Sequence, residues 1–210
     1  MYLIIFGPQA SGKGTQAIQI AEYFDIPQIS TGEIFRANIA QGTELGKKAK
    51  EILAQGNLVP DKITNEIVKN RLEENDCKNG FILDGYPRTR NQAEFLNTLP
   101  YKFDAAINLK IPQKEIIKRI SNRRVCIDCK ENFNLIYKLP KTEDKCDKCG
   151  GKLVQRGDDK PEAIEKRLGI YHSQTEPLLK FYKEKGILID INGEQPIGDV
   201  FKEVIEKLSA

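Results

Sequence analysis

The chain has 210 residues, of which 40% are apolar and 30% are charged. This length suits one sizeable domain with a small insertion, and the composition is that of a folded protein, not of a disordered or fibrous one. The 33 basic and 30 acidic residues leave a formal net charge of +3. That balance is too even for general nucleic-acid binding or a polybasic membrane anchor, so an anionic ligand has to be held locally.

Short apolar runs recur along the chain, with helix-periodic stretches between them. Strands that alternate with helices in this way predict an α/β fold with a parallel five-stranded sheet covered on both faces. No apolar run approaches the length of a signal peptide or a membrane span, which predicts a cytoplasmic protein. The predicted buried strands are Tyr2–Phe6, Pro27–Ser30, Phe81–Asp84, Ala105–Ile111 and Ile187–Ile191.

A glycine-rich loop, Gly7-Pro-Gln-Ala-Ser-Gly12-Lys13, follows the first predicted strand and precedes a helical run at Gln16–Phe24. A G-x-x-x-x-G-K loop in this context aims backbone N–H groups and a helix N-terminus at phosphate oxygens, while Lys13 adds a positive charge. A chance Gly-Lys turn is the alternative, and the correct placement of strand and helix disfavours it. The predicted phosphate contacts are Ala10, Ser11, Gly12, Lys13, Gly14 and Thr15.

The loop departs from the usual pattern in two places. Gly14 follows Lys13 where a Mg²⁺-binding hydroxyl is usual, with Thr15 one place later. This G-K-G-T-Q pattern resembles adenylate kinases and their nucleoside-monophosphate kinase relatives, although that family more often has Pro-Gly where this chain has Gln9-Ala10. Alanine at position 10 is strained if the loop needs a positive φ there. We expect the loop to bind phosphate in spite of this change, and the sequence does not decide the conformation of the loop.

A second segment, Ser30-Thr-Gly-Glu-Ile-Phe-Arg36, resembles the family's acceptor-nucleotide signature S-T-G-D-x-x-R, with Glu33 in place of Asp. A helix start with a capping box explains Ser30 and Glu33 completely, so only Thr31 and Arg36 carry a functional signal. The resemblance implies that Thr31 meets the acceptor base and that Arg36 meets its phosphate.

The predicted strand Phe81–Asp84 ends in an acid, a turn and Arg88. Ligands of open α/β sheets gather at the carboxyl ends of the strands, so Asp84 and Arg88 should lie beside the phosphate loop. The carboxylate suits Mg²⁺ held through water, and the guanidinium suits phosphate; an Asp-Gly turn with a surface arginine is the alternative. By resemblance, AMP also meets Asn57, Leu58, Val59, Gly85, Tyr86, Pro87 and Gln92, the last of which reads adenine.

Four of the five cysteines form two pairs, Cys126-x-x-Cys129 and Cys146-x-x-Cys149, separated by sixteen residues. This is the spacing of a tetrahedral four-cysteine zinc site, which is structural because four thiolates leave no open coordination position. Four unrelated thiols or two labile disulfides are disfavoured alternatives, and cobalt and iron are other metals that such a site accepts. Cys77 has no partner and is predicted to be a small core or surface residue.

The cysteine pairs lie in a segment, residues 122–159, that interrupts the alternation of strands and helices. Its flanking arginines occupy the positions that flank the lid of long-form adenylate kinases, many of which carry a zinc ribbon there. The resemblance implies phosphate contacts from Arg123, Arg156 and Arg167, and lid closure is likewise taken from the family. A surface salt-bridge role stays open for Arg119 and Arg124. The further ATP contacts implied by the resemblance are Arg119, Asn132, Phe133 and Gln195.

The resemblance covers nearly the whole chain. It implies one P-loop NTPase-type kinase domain over residues 1–210, with a helical NMP-binding segment at 30–59 and a zinc-ribbon lid at 122–159. The implied reaction is reversible transfer of the terminal phosphoryl group of MgATP to AMP, giving two ADP. No general base is required, because a phosphate monoester is already largely a dianion at pH 7. Catalysis then depends on positioning and on Mg²⁺ together with Lys13, Arg88, Arg123, Arg156 and Arg167.

Two other functions fit parts of the sequence. A UMP/CMP or other monophosphate kinase would share the loop and the arginines, but Gln92 and the long cysteine lid favour AMP. A zinc-ribbon nucleic-acid-binding protein that uses ATP as a switch is disfavoured by the near-neutral charge and by the second anion site at Arg36 and Arg88. A monomer is expected, since no extended apolar face is left over, and His172 is expected to be structural and not catalytic.

Overall fold

The computed structural model describes residues 1–156, residue 159 and residues 161–209. Residues 157 and 158 of the predicted lid therefore lie outside the described residues, as do residues 160 and 210. The strands are β1 (Tyr2–Phe6), β2 (Gln28–Ser30), β3 (Phe81–Asp84), β4 (Ala105–Lys110), β5 (Arg123–Cys126), β6 (Asn132–Asn134), β7 (Leu153–Val154) and β8 (Leu188–Asn192). The α-helices are α1 (Lys13–Phe24), α2 (Thr31–Gln41), α3 (Glu44–Ala54), α4 (Asp61–Leu72), α5 (Arg90–Asn97), α6 (Gln113–Ser121), α7 (Pro161–Ile170), α8 (Pro177–Glu184) and α9 (Ile197–Leu208).

Five strands form one parallel sheet in the order β2-β3-β1-β4-β8. The five strands predicted from the sequence are all present, with ends that shift by one residue at most, and the predicted α/β fold is confirmed. Because β1 lies at the centre, the loop that follows it emerges in the middle of the carboxyl edge. Ile5 of β1 lies opposite Asp84, so this acid ends its strand beside that loop.

The alternation of side chains along β1 builds two cores. Leu3 and Ile5 pack in one cluster with residues of α1 and α9, while Ile4 and Phe6 pack in the other with residues of α4, α5 and α8. Successive strand residues point to opposite faces, so a run that is apolar throughout is buried on both. The sheet is thereby fixed between two layers of helices.

The segment between α6 and α7 forms a separate three-stranded antiparallel sheet in the order β6-β5-β7. This confirms that the alternation of strands and helices is interrupted there. Helices α2 and α3 cover most of the predicted NMP-binding segment. None of the helices in the described part of the chain has the length and apolarity needed to span a bilayer.

Two features predicted at helix starts differ from the structure. Helices α4 and α7 begin at Asp61 and Pro161, whereas α1 begins at Lys13, earlier than the predicted Gln16. The prediction of a capping box at Ser30 was wrong in one respect. Ser30 does precede α2, but its side chain makes no capping hydrogen bond. Ser30 is the last residue of β2, paired opposite Asp84, so the sheet and not the helix sets its backbone and side-chain direction.

Candidate active site

The loop after β1 is shaped by two glycines with positive φ, Gly7 at 148° and Gly12 at 95°. A Cβ on Gly7 would lie 2.5 Å from Ser11 Oγ, so a larger residue cannot stand there without displacing the loop. Gly12 gives the first turn of α1 no side-chain cap. The N–H groups at this helix start are thus available to an anion.

Ala10 has a φ of 57°, in the left-handed region, which is the strained case that the sequence left open. This conformation costs a non-glycine residue about 1–2 kcal/mol. The methyl group packs against a buried cluster formed by α6 and α7, whose members are Ile116, Ile120, Ile164 and Leu168. Each buried carbon contributes up to about 0.8 kcal/mol, so the contact offsets part of the strain.

Lys13 begins α1 and donates from Nζ to the carbonyl oxygen of Pro8 at 3.1 Å. Burial lowers its pKa to about 7; Asp84 opposes this shift, whereas the positive charges of Arg88, Arg167 and Arg123 add to it. A partly buried ammonium whose neighbours include three guanidinium groups is destabilised until an anion joins them. The electrostatics of the loop therefore favour a highly charged anion such as a polyphosphate.

Asp84 is buried at the end of β3 and lies against the phosphate loop, since a Cβ on Gly14 would be 3.5 Å from its Oδ2. Gln28 Nε2 donates to Oδ2 at a long 3.5 Å, and Oδ1 has no hydrogen-bond partner within the described part of the chain. A buried carboxylate oxygen without a hydrogen-bond partner is energetically costly unless a ligand supplies that partner. The residue fits the predicted role of holding Mg²⁺ through water.

The turn after β3 is held by Gly85, which has a φ of 77°. Its carbonyl oxygen accepts hydrogen bonds from Thr31 Oγ1 and from Arg88 Nε, each at 2.8 Å. A Cβ at this position would approach Arg88 Nη2 to 2.7 Å, so glycine is required for the arginine to fold back. The predicted acceptor residues Thr31, Gly85 and Arg88 are thus brought together. Tyr86 and Pro87 are joined by a cis peptide bond.

Gln92, predicted to read adenine, is buried and bonded to the protein at both ends of its amide. Its Oε1 accepts from the backbone N–H of Arg88 at 2.7 Å, and its Nε2 donates to Asp61 Oδ1 at 2.7 Å. In this conformation the Gln92 amide links the Arg88 turn to Asp61 at the start of α4. Its contact with a base stays a prediction.

Two cavities, of about 600 Å³ and about 550 Å³, meet at the phosphate loop. The larger includes the predicted ATP contacts, and the smaller includes Asn57, Leu58, Gly85, Tyr86 and Pro87 from the predicted AMP set. The residues that line both cavities are Gln9, Lys13, Gly32, Arg36, Arg88, Arg156 and Arg167. The shared boundary therefore holds one lysine and four arginines, an arrangement that suits two phosphate-bearing ligands placed end to end.

Asp159, at the end of the predicted lid segment, is a site residue that the sequence analysis did not single out. Arg123 donates to its carboxylate from Nε, at 2.8 Å, and from Nη2, and Arg167 Nη1 lies 3.9 Å from Oδ1. The Asp159 side chain is fully buried, whereas in the sequence it belongs to a charged run that reads as solvated surface. One carboxylate thus fixes two of the predicted catalytic arginines.

Arg119 is not a simple surface residue. Its side chain is 14% exposed, pairs with Glu115 Oε1 at 2.9 Å and donates to Ser11 O of the phosphate loop at 3.4 Å. Tyr137, which the sequence did not single out, stacks on the Arg119 guanidinium at 5.0 Å and donates to Glu115. Among the described residues, Arg124 donates to the backbone carbonyls of Ser121 and Arg123, and half-exposed His172 pairs with Glu176. That His172 is structural and not catalytic stays a prediction.

The four paired cysteines converge in the small sheet, with all four sulfur atoms within 4.8 Å of one another. The Sγ atoms of Cys126 and Cys149 are 3.4 Å apart, and those of Cys129 and Cys146 are 3.5 Å apart. Tetrahedral coordination at a Zn–S distance of about 2.3 Å requires sulfur separations of about 3.8 Å, so the cluster is compatible with Zn²⁺. Phe133 and Leu153 pack beside it, and Cys77 is buried in the main core, apart from the cluster.

The fold and the site define a class of protein, the P-loop phosphotransferases that act on two nucleotides. The family model described as Adenylate kinase matches residues 5–187. Proteins named Adenylate kinase from Acetivibrio thermocellus and Archaeoglobus fulgidus are each 50% identical to this chain, over 100% of it and over 98% and 100% of their own lengths. One from Listeria monocytogenes serotype 4b is 52% identical over 100% of the chain and 99% of its own length. The chain belongs to the adenylate kinase family and is a phosphotransferase.

Proposed function

We propose that this chain transfers the terminal phosphoryl group of MgATP to AMP, reversibly and giving two ADP, at the boundary between the two cavities. The observation that carries the proposal is the set of cations common to both cavities, Lys13, Arg36, Arg88, Arg156 and Arg167. A single-nucleotide site needs cations on one cavity only. Cations that line both cavities would instead surround the transferred group between donor and acceptor and neutralise its charge throughout the reaction.

In this proposal the donor phosphates lie on the N–H groups at Ser11–Thr15, with Lys13 regaining its full charge beside them. Arg119, stacked on Tyr137, and the residues Asn132, Phe133 and Gln195 bound the end of the larger cavity where the donor base is placed. Arg36 and Arg88 hold the acceptor phosphate, and Thr31 and Gln92 are assigned to the acceptor base by the family resemblance. Arg123, Arg156 and Arg167 stabilise the charge that spreads over the equatorial oxygens in the transition state.

The Mg²⁺ that accompanies ATP supplies positive charge to the phosphate oxygens, and Asp84 is the residue that would hold it, through water. The orphaned Oδ1 atom supports this assignment. The acceptor phosphate is already a dianion, so the protein has to supply orientation and cations and not a base. Zn²⁺ on the four cysteines is a structural element of the lid in this proposal.

The segments at 30–59 and 122–159 act as the AMP-binding segment and the lid. The lid carries Arg123 and Arg156, so its closure would bring cations to the phosphates and exclude water from them. We further propose a cytoplasmic monomer, on the sequence arguments given above.

The direct test is a phosphotransfer assay with MgATP and, in turn, AMP, GMP, CMP and UMP. ADP formation from ATP plus AMP, with the other acceptors at least about tenfold poorer in kcat/KM, is the expected result. Preference for UMP or CMP would indicate the neighbouring monophosphate kinases. Failure to make ADP, together with salt-sensitive binding to RNA or DNA, would overturn the proposal in favour of a nucleic-acid-binding protein.

A further inference from the structure

The Gln9-Ala10 dipeptide joins the phosphate loop to helix α7. The buried Gln9 side chain donates from Nε2 to the backbone carbonyl oxygen of Ile164 at 2.8 Å. Ala10 places its methyl group on the apolar cluster that contains Ile164 and Leu168 of the same helix. Two adjacent loop residues thus contact a helix that begins more than 150 positions later, one through a polar and one through an apolar contact.

Helix α7 also touches the other parts of the site. At Gly56, near the acceptor cavity, a Cβ would meet Ala163 O at 2.9 Å and Arg167 Cγ at 3.2 Å, so α7 packs directly on this backbone. Just beyond the helix, Thr175 Oγ1 donates to the carbonyl oxygen of Arg88 at 2.9 Å. Helix α7 therefore contacts the phosphate loop and the acceptor segment, and the segment that directly follows it contacts the Arg88 turn.

Arg167 lies one helical turn beyond Ile164, and residues at this spacing share one face of a helix. Gln9 and Arg167 both line both cavities, which places them on the boundary that the transferred phosphoryl group crosses. A shift of α7 relative to the loop would move the Arg167 guanidinium away from the loop that holds the donor phosphates. Positioning errors of this kind reduce rate more than affinity.

We infer that Gln9 and Ala10 are positioning residues that anchor the phosphate loop to α7 and thereby set the distance between Lys13 and Arg167. The inference rests on the proposed function, because it needs the phosphoryl group to pass between these two cations. It also explains why a strained alanine stands at position 10, since a glycine there would lack the methyl group that packs on the helix.

The test is Gln9→Met, which keeps the length of the side chain and removes the donor, with Tyr101→Phe as the matched control. Tyr101 also donates one side-chain hydrogen bond to a distant backbone carbonyl, that of Leu72, and lies outside both cavities. We expect Gln9→Met to lower kcat about fivefold to tenfold and to leave the KM for ATP within about twofold, because the lost contact acts on the transition state. Tyr101→Phe should leave both constants unchanged.

A double-mutant cycle with Arg167→Lys identifies the route of the effect. If Gln9 acts through Arg167, Gln9→Met will change kcat by less than about twofold in the Arg167→Lys background, whereas the two effects multiply if the residues are independent. Hydrogen exchange at 161–170 supplies a readout without catalysis, and it should accelerate in Gln9→Met alone. Multiplying effects, or a stability loss with kcat intact, would overturn the inference even where the unmodified enzyme makes ADP; an unmodified chain that makes no ADP would instead refute the proposed function.

Discussion

The guanidinium of Arg123 donates two hydrogen bonds to the carboxylate of Asp159, which is fully buried and also lies 3.9 Å from Arg167. Both arginines line the larger cavity, so one acid orients two cations of the proposed transfer site. A buried ion pair contributes little net stability, but removal of one partner leaves an uncompensated charge. The pair thus makes the arrangement of the arginines sensitive to a residue that lines neither cavity.

The first prediction follows from this pair. Asp159→Asn should lower kcat by about tenfold or more, because the amide can accept only one of the two hydrogen bonds and places an N–H group against the guanidinium. The free energy of unfolding should fall by up to about 3–5 kcal/mol, the range for a broken buried pair. Steady-state kinetics and thermal melts measure the two effects. Glu143→Gln, at an exposed lid position, is the control and should change neither.

Removal of the charge at Asp84 tests the proposed Mg²⁺ contact. Asp84→Asn keeps the shape of the side chain but weakens the attraction to a divalent cation, so the midpoint of the activity titration against free Mg²⁺ should rise by about tenfold or more. Asp104→Asn, at an acid that accepts from the Tyr2 backbone far from both cavities, serves as the control. An unchanged Mg²⁺ midpoint in Asp84→Asn would show that this carboxylate does not face the metal.

We expect loss of the cysteine cluster to lower the thermal stability of the protein much more than its activity. Cys129→Ser and Cys146→Ser should each lower the melting temperature by about 10 °C or more, since a structural metal stabilises the fold, while kcat at 25 °C stays within about threefold. Metal analysis should show loss of bound zinc in both variants and retention in Cys77→Ala. Equal early loss of stability and activity would argue against a purely structural metal.

The depressed pKa of Lys13 predicts proton uptake on nucleotide binding. In the free protein the pKa of Lys13 is lowered to about 7, mainly by burial, so the amine is largely neutral at pH 8. Phosphates beside it raise that pKa, so binding of MgATP takes up a proton, and the affinity is full below about pH 7 and falls as the pH rises from 7 to 9.

Calorimetry in two buffers of different ionisation enthalpy measures this uptake directly. Lys13→Arg is the control, because a guanidinium stays charged over the whole range and should bind MgATP without proton uptake from this position. The same uptake in both proteins would assign the linkage to another group.

Several properties of this protein were determined by the sequence alone, and they are the local ones. The apolar runs predicted all five strands of the main sheet, because a strand buried on both faces has to be apolar throughout. The spacing of Gly7, Gly12 and Lys13 and that of the four cysteines predicted a phosphate loop and a metal cluster. Each of these patterns depends on residues that are close together in the sequence, or on two short motifs with a fixed spacing. It can therefore be recognised without knowing how the chain folds.

Only the tertiary structure decided what the loop and the arginines are attached to. Gln9 donates to a carbonyl 155 positions away, and Arg123 pairs with an acid 36 positions away that looks like a surface residue in the sequence. Gln92 likewise supports the Arg88 turn, a bond that depends on how α5 meets α4. Such contacts form between segments that packing brings together, and burial turns an ordinary amide or carboxylate into a positioning group. The sequence therefore determined which groups are present, and the packing decided which of them face each other across the two cavities.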